Sequence, residues 1–376
     1  MTENVKPPKQ DPLTCGFIGL GLIGGSIARA LKERVAPHRP LWIKAFTPHR
    51  STVEEAQADA VVDDIVEEIG PAFSDCDLIF LCAPVSDNNV NIDLLRPWLS
   101  EKTTLTDIGS VKTGIHDHIR RSGLERQFVG GHPMTGTERI GYRNSKAQLL
   151  ENAYYILTKT PETEEWRVKQ LDTLVAELGA TPIVIENTLH DYITGAISHL
   201  PHVISASLVN LVRDSDGEEG LMKRLAAGGF KDITRISSSS PVMWEQICLT
   251  NRDNLLTLLD RYIESLHRVR AAIEAGEGEQ LNRFFAGARE YRESFAEAGR
   301  GSLPRAYIIR IDIADEPGGI ASVATLLSVN GINIKNIGIV HNREYERGTL
   351  AIEFHEEASM ARAATLLKNH GYPETR

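Results

Sequence analysis

Cysteine is scarce, with four in 376 residues. Cys15, Cys76, Cys82 and Cys248 share no metal-ligand spacing, which argues against a metal site and for reduced thiols packed as small hydrophobes. Long apolar runs are missing too: none approaches the roughly 18 residues that span a bilayer. The opening MTENVKPPKQDP has no apolar core, so it reads as a polar lead-in rather than a secretory signal, and a cytoplasmic protein is expected. Clustered positive charge is absent and the net charge is −10, which disfavours nucleic acid as a partner because phosphate neutralisation needs a Lys/Arg surface. Internal repeats and low-complexity tracts are lacking. What is present, 41% hydrophobic and 24% charged residues, is ordinary globular composition suited to small-molecule chemistry.

At roughly 100 to 200 residues per domain the length suggests two or three. From Thr14 to about Ile185, strand-like runs (Cys15 to Ile18, Leu41 to Phe46, Asp77 to Ala83, Thr104 to Ile108, Gln127 to Gly130, Ala153 to Thr158, Thr181 to Ile185) alternate with helical patterns, the signature of a Rossmann-type doubly wound α/β domain over 14–185. Residues 186–298 carry helix-spaced apolar positions only and predict an all-helical domain, whose long helices are candidates for a homodimer core. Glu297 to Pro304 is small and polar, hence a linker. The unit at 304–376 reads strand, helix, strand, strand, helix.

Gly19-Leu20-Gly21-Leu22-Ile23-Gly24 follows a strand and opens a helix, the context in which this pattern binds a dinucleotide. Gly19 permits the tight turn, Gly21 lets amides approach a pyrophosphate, and Gly24 lets helix and strand pack closely, with Leu22 and Ile23 at the positive helix end. Ala83 and Pro84, after the strand beginning at Asp77, complete the expected cofactor contacts. The second strand ends in Thr47-Pro48-His49-Arg50 where an NAD ribose would favour an acidic residue. Arg50 suits a 2′-phosphate, or else it is a solvated helix-start residue with Thr47 as a cap, so NAD is expected with NADP open.

Four clusters exceed what packing needs: Asp107-Ile108-Gly109-Ser110-Val111-Lys112, Gly130 to Glu138 (GGHPMTGTE), Ser198-His199-Leu200-Pro201-His202, and Gly228 to Arg235 (GGFKDITR). In this order, after GLGLIGGS, they resemble the prephenate dehydrogenase family of tyrosine biosynthesis, in the form with a C-terminal ACT domain, over the chain from about Thr14 onward. The resemblance implies oxidative decarboxylation of prephenate to 4-hydroxyphenylpyruvate. By it, His132 is the catalytic histidine that takes the ring-hydroxyl proton, Ser110 aligns it, and Arg235 binds a substrate carboxylate through its guanidinium fork. Lys231 adds charge, His202 and His199 line the pocket, and Glu138 stands at its mouth.

Read without the resemblance, Ser110 is equally a helix cap, His199 a buried structural histidine, Asp107 a turn former and Lys112 a solvated helix-start charge. The flanking Gly131, Pro133 and Gly136 suggest that His132 sits in a fixed loop. Arogenate dehydrogenase is the near rival, since arogenate differs from prephenate only by an amine. A non-catalytic metabolite sensor and a 3-hydroxyacid dehydrogenase are the distant ones. In the last unit, Asp315, Pro317, Gly318 and Asn333 stand at the turns where an ACT fold, of ferredoxin-like α+β type, would hold an effector, by resemblance L-tyrosine.

Overall fold

The computed structural model describes residues 12–136, 139–298, 307–313, 316–341, 348–354, 356–372 and 374. The chain divides into two compact units, 1–271 and 272–376, with the division inside the helix Arg252–Ala275.

The first unit opens with five parallel strands: β1 (Leu13–Ile18), β2 (Leu41–Phe46), the two-residue β3 (Asp64–Ile65), β4 (Leu78–Leu81) and β5 (Thr104–Asp107). Their order, β3-β2-β1-β4-β5, places the chain reversal beside β1. This is the crevice where open α/β sheets bind ligands. β1 and β4 are buried on both faces, which is why they read as unbroken apolar runs. Phe17 and Phe80 stack across them at 4.8 Å, a pair contributing about 1 kcal/mol beyond its burial.

The remaining strands do not extend this sheet continuously. β6 (Val129–Pro133), β7 (Tyr154–Lys159) and β8 (Thr181–Ile185) form a separate sheet, with β6 antiparallel to β7 and β7 parallel to β8. A single parallel bridge, Leu105 to Phe128, ties it to β5. The seven apolar runs were therefore legible, but the pairing direction that splits them was not. β6 also starts two residues and ends three residues later than expected, so His132 is a strand residue rather than a loop residue.

Helices follow: Asn187–Thr194, a π-helical turn Gly195–His199, Leu200–Ser215, Leu221–Leu225, Gly228–Thr234, Pro241–Thr250 and Arg252–Ala275. Asn187–Ser215 is, by length and composition, long and apolar enough to cross a bilayer, which the sequence reading did not anticipate. Yet it carries the buried, hydrogen-bonded pair His190 and Asp191, and ionisable residues at membrane depth are costly. Its Ile197 and Leu211 are exposed.

The second unit holds Gly278–Ala298 and a three-stranded antiparallel sheet of β9 (Tyr307–Ile313), β10 (Asn336–His341) and β11 (Gly348–Phe354), ordered β10-β11-β9. Helices Gly319–Val329 and Glu357–Asn369 share its core, and an isolated antiparallel bridge joins Ile311 of β9 to Glu374.

Candidate active site

The glycine turn lies where β1 ends. Gly19 has φ +88, and a Cβ there would lie 2.7 Å from the Ala83 nitrogen, so β1 and β4 can approach only because no side chain intervenes. Gly24 would press its Cβ onto Cys82 at 2.9 Å, whereas a Cβ on Gly21 would meet nothing within 4 Å. Gly21 therefore faces open space at the N-terminus of Leu22–Ala30, the space a pyrophosphate needs. The residues fit a dinucleotide. Asn88, fully buried, donates to the Ala83 carbonyl at 3.0 Å and fixes the β4 turn, with exposed Pro84 capping the next helix. Thr47 is half-buried at the end of β2. Arg50 pairs with Glu54 at 2.7 Å and Glu67 at 2.6 Å, which favours the solvated helix-start reading over a 2′-phosphate site.

At the end of β5, Asp107 and Lys112 form a buried ion pair. Lys112 is 0% exposed, correcting its reading as a solvated charge. Asp107 accepts from the Gly131 N–H at 3.1 Å, and the Lys112 ammonium donates to the Gly131 carbonyl at 2.7 Å. Both backbone groups of the residue preceding His132 are thus held by one ion pair. A Cβ on Gly131 would lie 2.5 Å from the Asp107 carbonyl oxygen, which is why glycine stands there. Ser110, half-exposed, lies on the turn between these two residues.

The His132 ring is held from its far side. Its Nδ1 lies 2.8 Å from His190 Nε2, and His190 Nδ1 lies 2.8 Å from Asp191 Oδ1. Asp191 further accepts the backbone N–H groups of Lys112 and Thr113, each at 2.7 Å. Burial alone would raise its carboxyl, but the bonds from His190, Thr113 and Lys112 hold it below the ordinary range. It is a carboxylate and accepts only, so His190 carries its hydrogen on Nδ1. With His190 accepting through Nε2, His132 donates through Nδ1 and its Nε2 is left bare. Burial, then His190, Lys112 and His199, push the His132 imidazole well below its usual value, so it is a neutral acceptor at physiological pH.

Among the helices, His202 stacks on Trp244 at 3.6 Å and bonds the Ser198 carbonyl at 2.9 Å through Nδ1. Burial, and after it Arg235, lowers its basicity against that bond. Ser205 bonds Ser237 at 2.6 Å and the Ile233 carbonyl at 3.2 Å, anchoring the segment that carries exposed Arg235 and Lys231. His199 is 1% exposed with Nδ1 3.0 Å from Asn251, so it packs behind the site rather than lining it. Its Nε2 and the Trp244 indole nitrogen are buried without hydrogen-bond partners. Glu138 lies outside the described residues, as does Asp315; Pro317, Gly318 and Asn333 are described.

Sequence reasoning missed His190, Asp191 and Asn251. A signal existed, since a His-Asp pair inside the apolar run Leu189 to Leu200 has no business in a simple core. Among the described residues no group of three or more His, Cys, Asp or Glu is arranged to hold a metal.

A dinucleotide turn at the reversal point of a parallel sheet, with an oriented neutral imidazole on a strand abutting the same carboxyl edge, defines a nicotinamide-dependent dehydrogenase. Residues 27–184 match the family described as prephenate dehydrogenase, nucleotide-binding domain, and 186–287 match prephenate dehydrogenase, dimerization domain. The chain belongs to the prephenate dehydrogenase family. It is 35% identical to the prephenate dehydrogenase of Bacillus subtilis (strain 168), over 95% of this chain and 96% of that one. Among solved structures it resembles prephenate dehydrogenase from A. aeolicus in complex with hydroxyphenyl propionate and NAD+, with TM-score 0.71 and 29% identity over 76% of this chain and 99% of that one. It also resembles Synechocystis arogenate dehydrogenase, with TM-score 0.67 and 28% identity over 75% and 99%.

Proposed function

We propose that this enzyme oxidises and decarboxylates prephenate to 4-hydroxyphenylpyruvate, with NAD as the hydride acceptor, in L-tyrosine biosynthesis. The observation that carries the reading is the His132–His190–Asp191 chain, which leaves His132 Nε2 bare and neutral. Gly19, Gly21 and Gly24 would hold the pyrophosphate of the dinucleotide, which would supply the acceptor for the hydride leaving the ring carbon that bears the hydroxyl. His132 Nε2 accepts the hydroxyl proton, a contribution of about 10² to 10⁴ in rate. Ser110, on the turn that follows β5, aligns that hydroxyl. Arg235 pairs with a substrate carboxylate and Lys231 adds positive potential, while the His202–Trp244 stack offers a flat wall to the six-membered ring. Glu138 gates the mouth. Loss of the ring carboxylate as carbon dioxide completes aromatisation.

The test is His132→Asn, which removes the base and keeps the volume. Turnover with prephenate, followed by the absorbance of reduced cofactor, should fall at least ~100-fold with KM little changed; full turnover would overturn the reading. Arogenate assayed in parallel decides between the two cyclohexadienyl substrates.

The enzyme acts as a soluble cytoplasmic homodimer. The exposed Ile197, Leu211, Val242 and Leu249 of the helical domain support pairing through that domain, because such surface is normally covered. The C-terminal unit is an ACT domain that binds L-tyrosine as a feedback inhibitor at the turn of Asp315, Pro317, Gly318 and at Asn333. The strand order β10-β11-β9 with the Glu374 bridge supports a ferredoxin-like topology, and Gly318, at φ +94, caps its first helix.

A further inference from the structure

We propose that His132 receives the substrate proton but does not keep it: the proton is handed on within the ring pair and rests on His190, against Asp191. This rests on the assignment of His132 as the base.

Before reaction His190 holds its hydrogen on Nδ1 and His132 holds its own on Nδ1, because Asp191 accepts only and the two rings share one hydrogen at 2.8 Å. As the substrate O–H bond breaks, an N–H bond forms at His132 Nε2. The His132 Nδ1–H bond then breaks while an N–H bond forms at His190 Nε2. The sum is one proton moved from substrate oxygen to His190, with His132 neutral throughout the resting states and changed from its Nδ1–H to its Nε2–H form.

The charges around the rings favour that endpoint. Facing them from the β5 end, the Lys112 ammonium is paired with Asp107. From the π-helical turn, His199 is pushed down to about 4 by burial and is neutral. From β6 comes only His132, and from the loop before Arg252–Ala275 the neutral Asn251, which donates to the Asp191 backbone carbonyl at 2.7 Å. Asp191 accepts from backbone N–H groups and His190 and, among the described residues, makes no ion pair with a Lys or Arg. It touches His190 and not His132. The same geometry gives an acid switch. A proton taken up by the pair from solvent settles on His190, forces His132 into the Nε2–H form and removes its free lone pair, so the enzyme loses its base although His132 itself is uncharged.

The decisive experiment is nitrogen NMR of full-length enzyme labelled with ¹⁵N-histidine, titrated through the acid limb of kcat/KM, with His132→Asn and His190→Gln used to assign the rings. Above the limb both rings should show protonated Nδ1 and bare Nε2; through it His190 should become doubly protonated while His132 converts to its Nε2–H form. Double protonation of His132 in that transition would overturn the proposal. Kinetics give an independent reading. His190→Gln should lower kcat about 10- to 100-fold with KM for prephenate unchanged, and move the acid limb to lower pH, because His132 must then carry the charge itself. A limb that stays in place overturns the hand-off while leaving His132 as the base. Retained turnover in His132→Asn would instead remove the assignment beneath it.

Discussion

The Lys112 ammonium reaches the carbonyl of Gly131 at 2.7 Å from a site wholly shut off from solvent. The same residue gives its backbone N–H to Asp191, so it holds the strand before His132 and also the carboxylate that orients the ring from the other side.

Removing that cation should be expensive. Lys112→Met leaves the buried Asp107 carboxyl without its cation, and breaking one side of a buried pair costs about 3 to 5 kcal/mol. Urea unfolding should show that loss. The double variant Asp107→Leu with Lys112→Met should recover much of the stability but not the turnover, because Gly131 keeps neither of its side-chain partners. Recovery of both would mean that the pair serves folding alone.

Gly21 separates cofactor binding from folding. Its side-chain direction is open, so Gly21→Ala should fold with an unchanged melting temperature while KM for NAD rises about tenfold or more. Gly24→Ala, which meets Cys82 at 2.9 Å, should also lower the melting temperature. If both variants behave alike, the open space at Gly21 is not the phosphate site.

Arg235→Gln should raise KM for prephenate about 10- to 100-fold with a smaller effect on kcat, the result of losing a charge-assisted bond of about 1.5 to 3 kcal/mol. Steady-state kinetics at saturating NAD decide it, and an unchanged KM would remove Arg235 from the substrate site.

Acid should destabilise the first unit through two buried histidines. Burial, and then the Lys112 charge, push His116 down to about 4, and His199 is pushed to about 4 as well. Both folded values lie below the ordinary 6.5, so the unfolded chain binds protons more readily in that window. The stability these rings provide is complete above about 6.5 and is lost as pH falls toward about 4, at up to ~1.4 kcal/mol per pH unit for each. His116→Gln, able to keep a bond to Thr158, should flatten the slope in urea midpoints measured between these pH values.

The sequence made the parallel strands, the glycine turn and His132 visible because each leaves a local mark: an apolar run, a spaced glycine set, a histidine among glycines. It left the antiparallel turn of β6 unseen, since pairing direction depends on a partner about 25 residues away. Lys112 looked like a surface charge because nothing local says that Asp107 lies opposite it. His190 and Asp191 left a mark, a His-Asp pair in an apolar run, but not its target, a ring 58 positions earlier in the chain. The Arg50 question was open in sequence because Glu67, which neutralises it, stands 17 residues on.

Gly130 and Gly131 carry a last consequence, for anyone who would redesign this enzyme. A Cβ on Gly130 would fall 2.3 Å from the Thr158 hydroxyl, and one on Gly131 would meet Asp107. Substitution libraries at either position alone will return only misfolded or wild-type clones, and the base can be relocated only by changing Thr158, Asp107 and Lys112 together with the glycines. Residues of three strands, β5, β6 and β7, and of the turn that carries Lys112 form one evolutionary unit here, and sequence drift in this region should be correlated rather than independent.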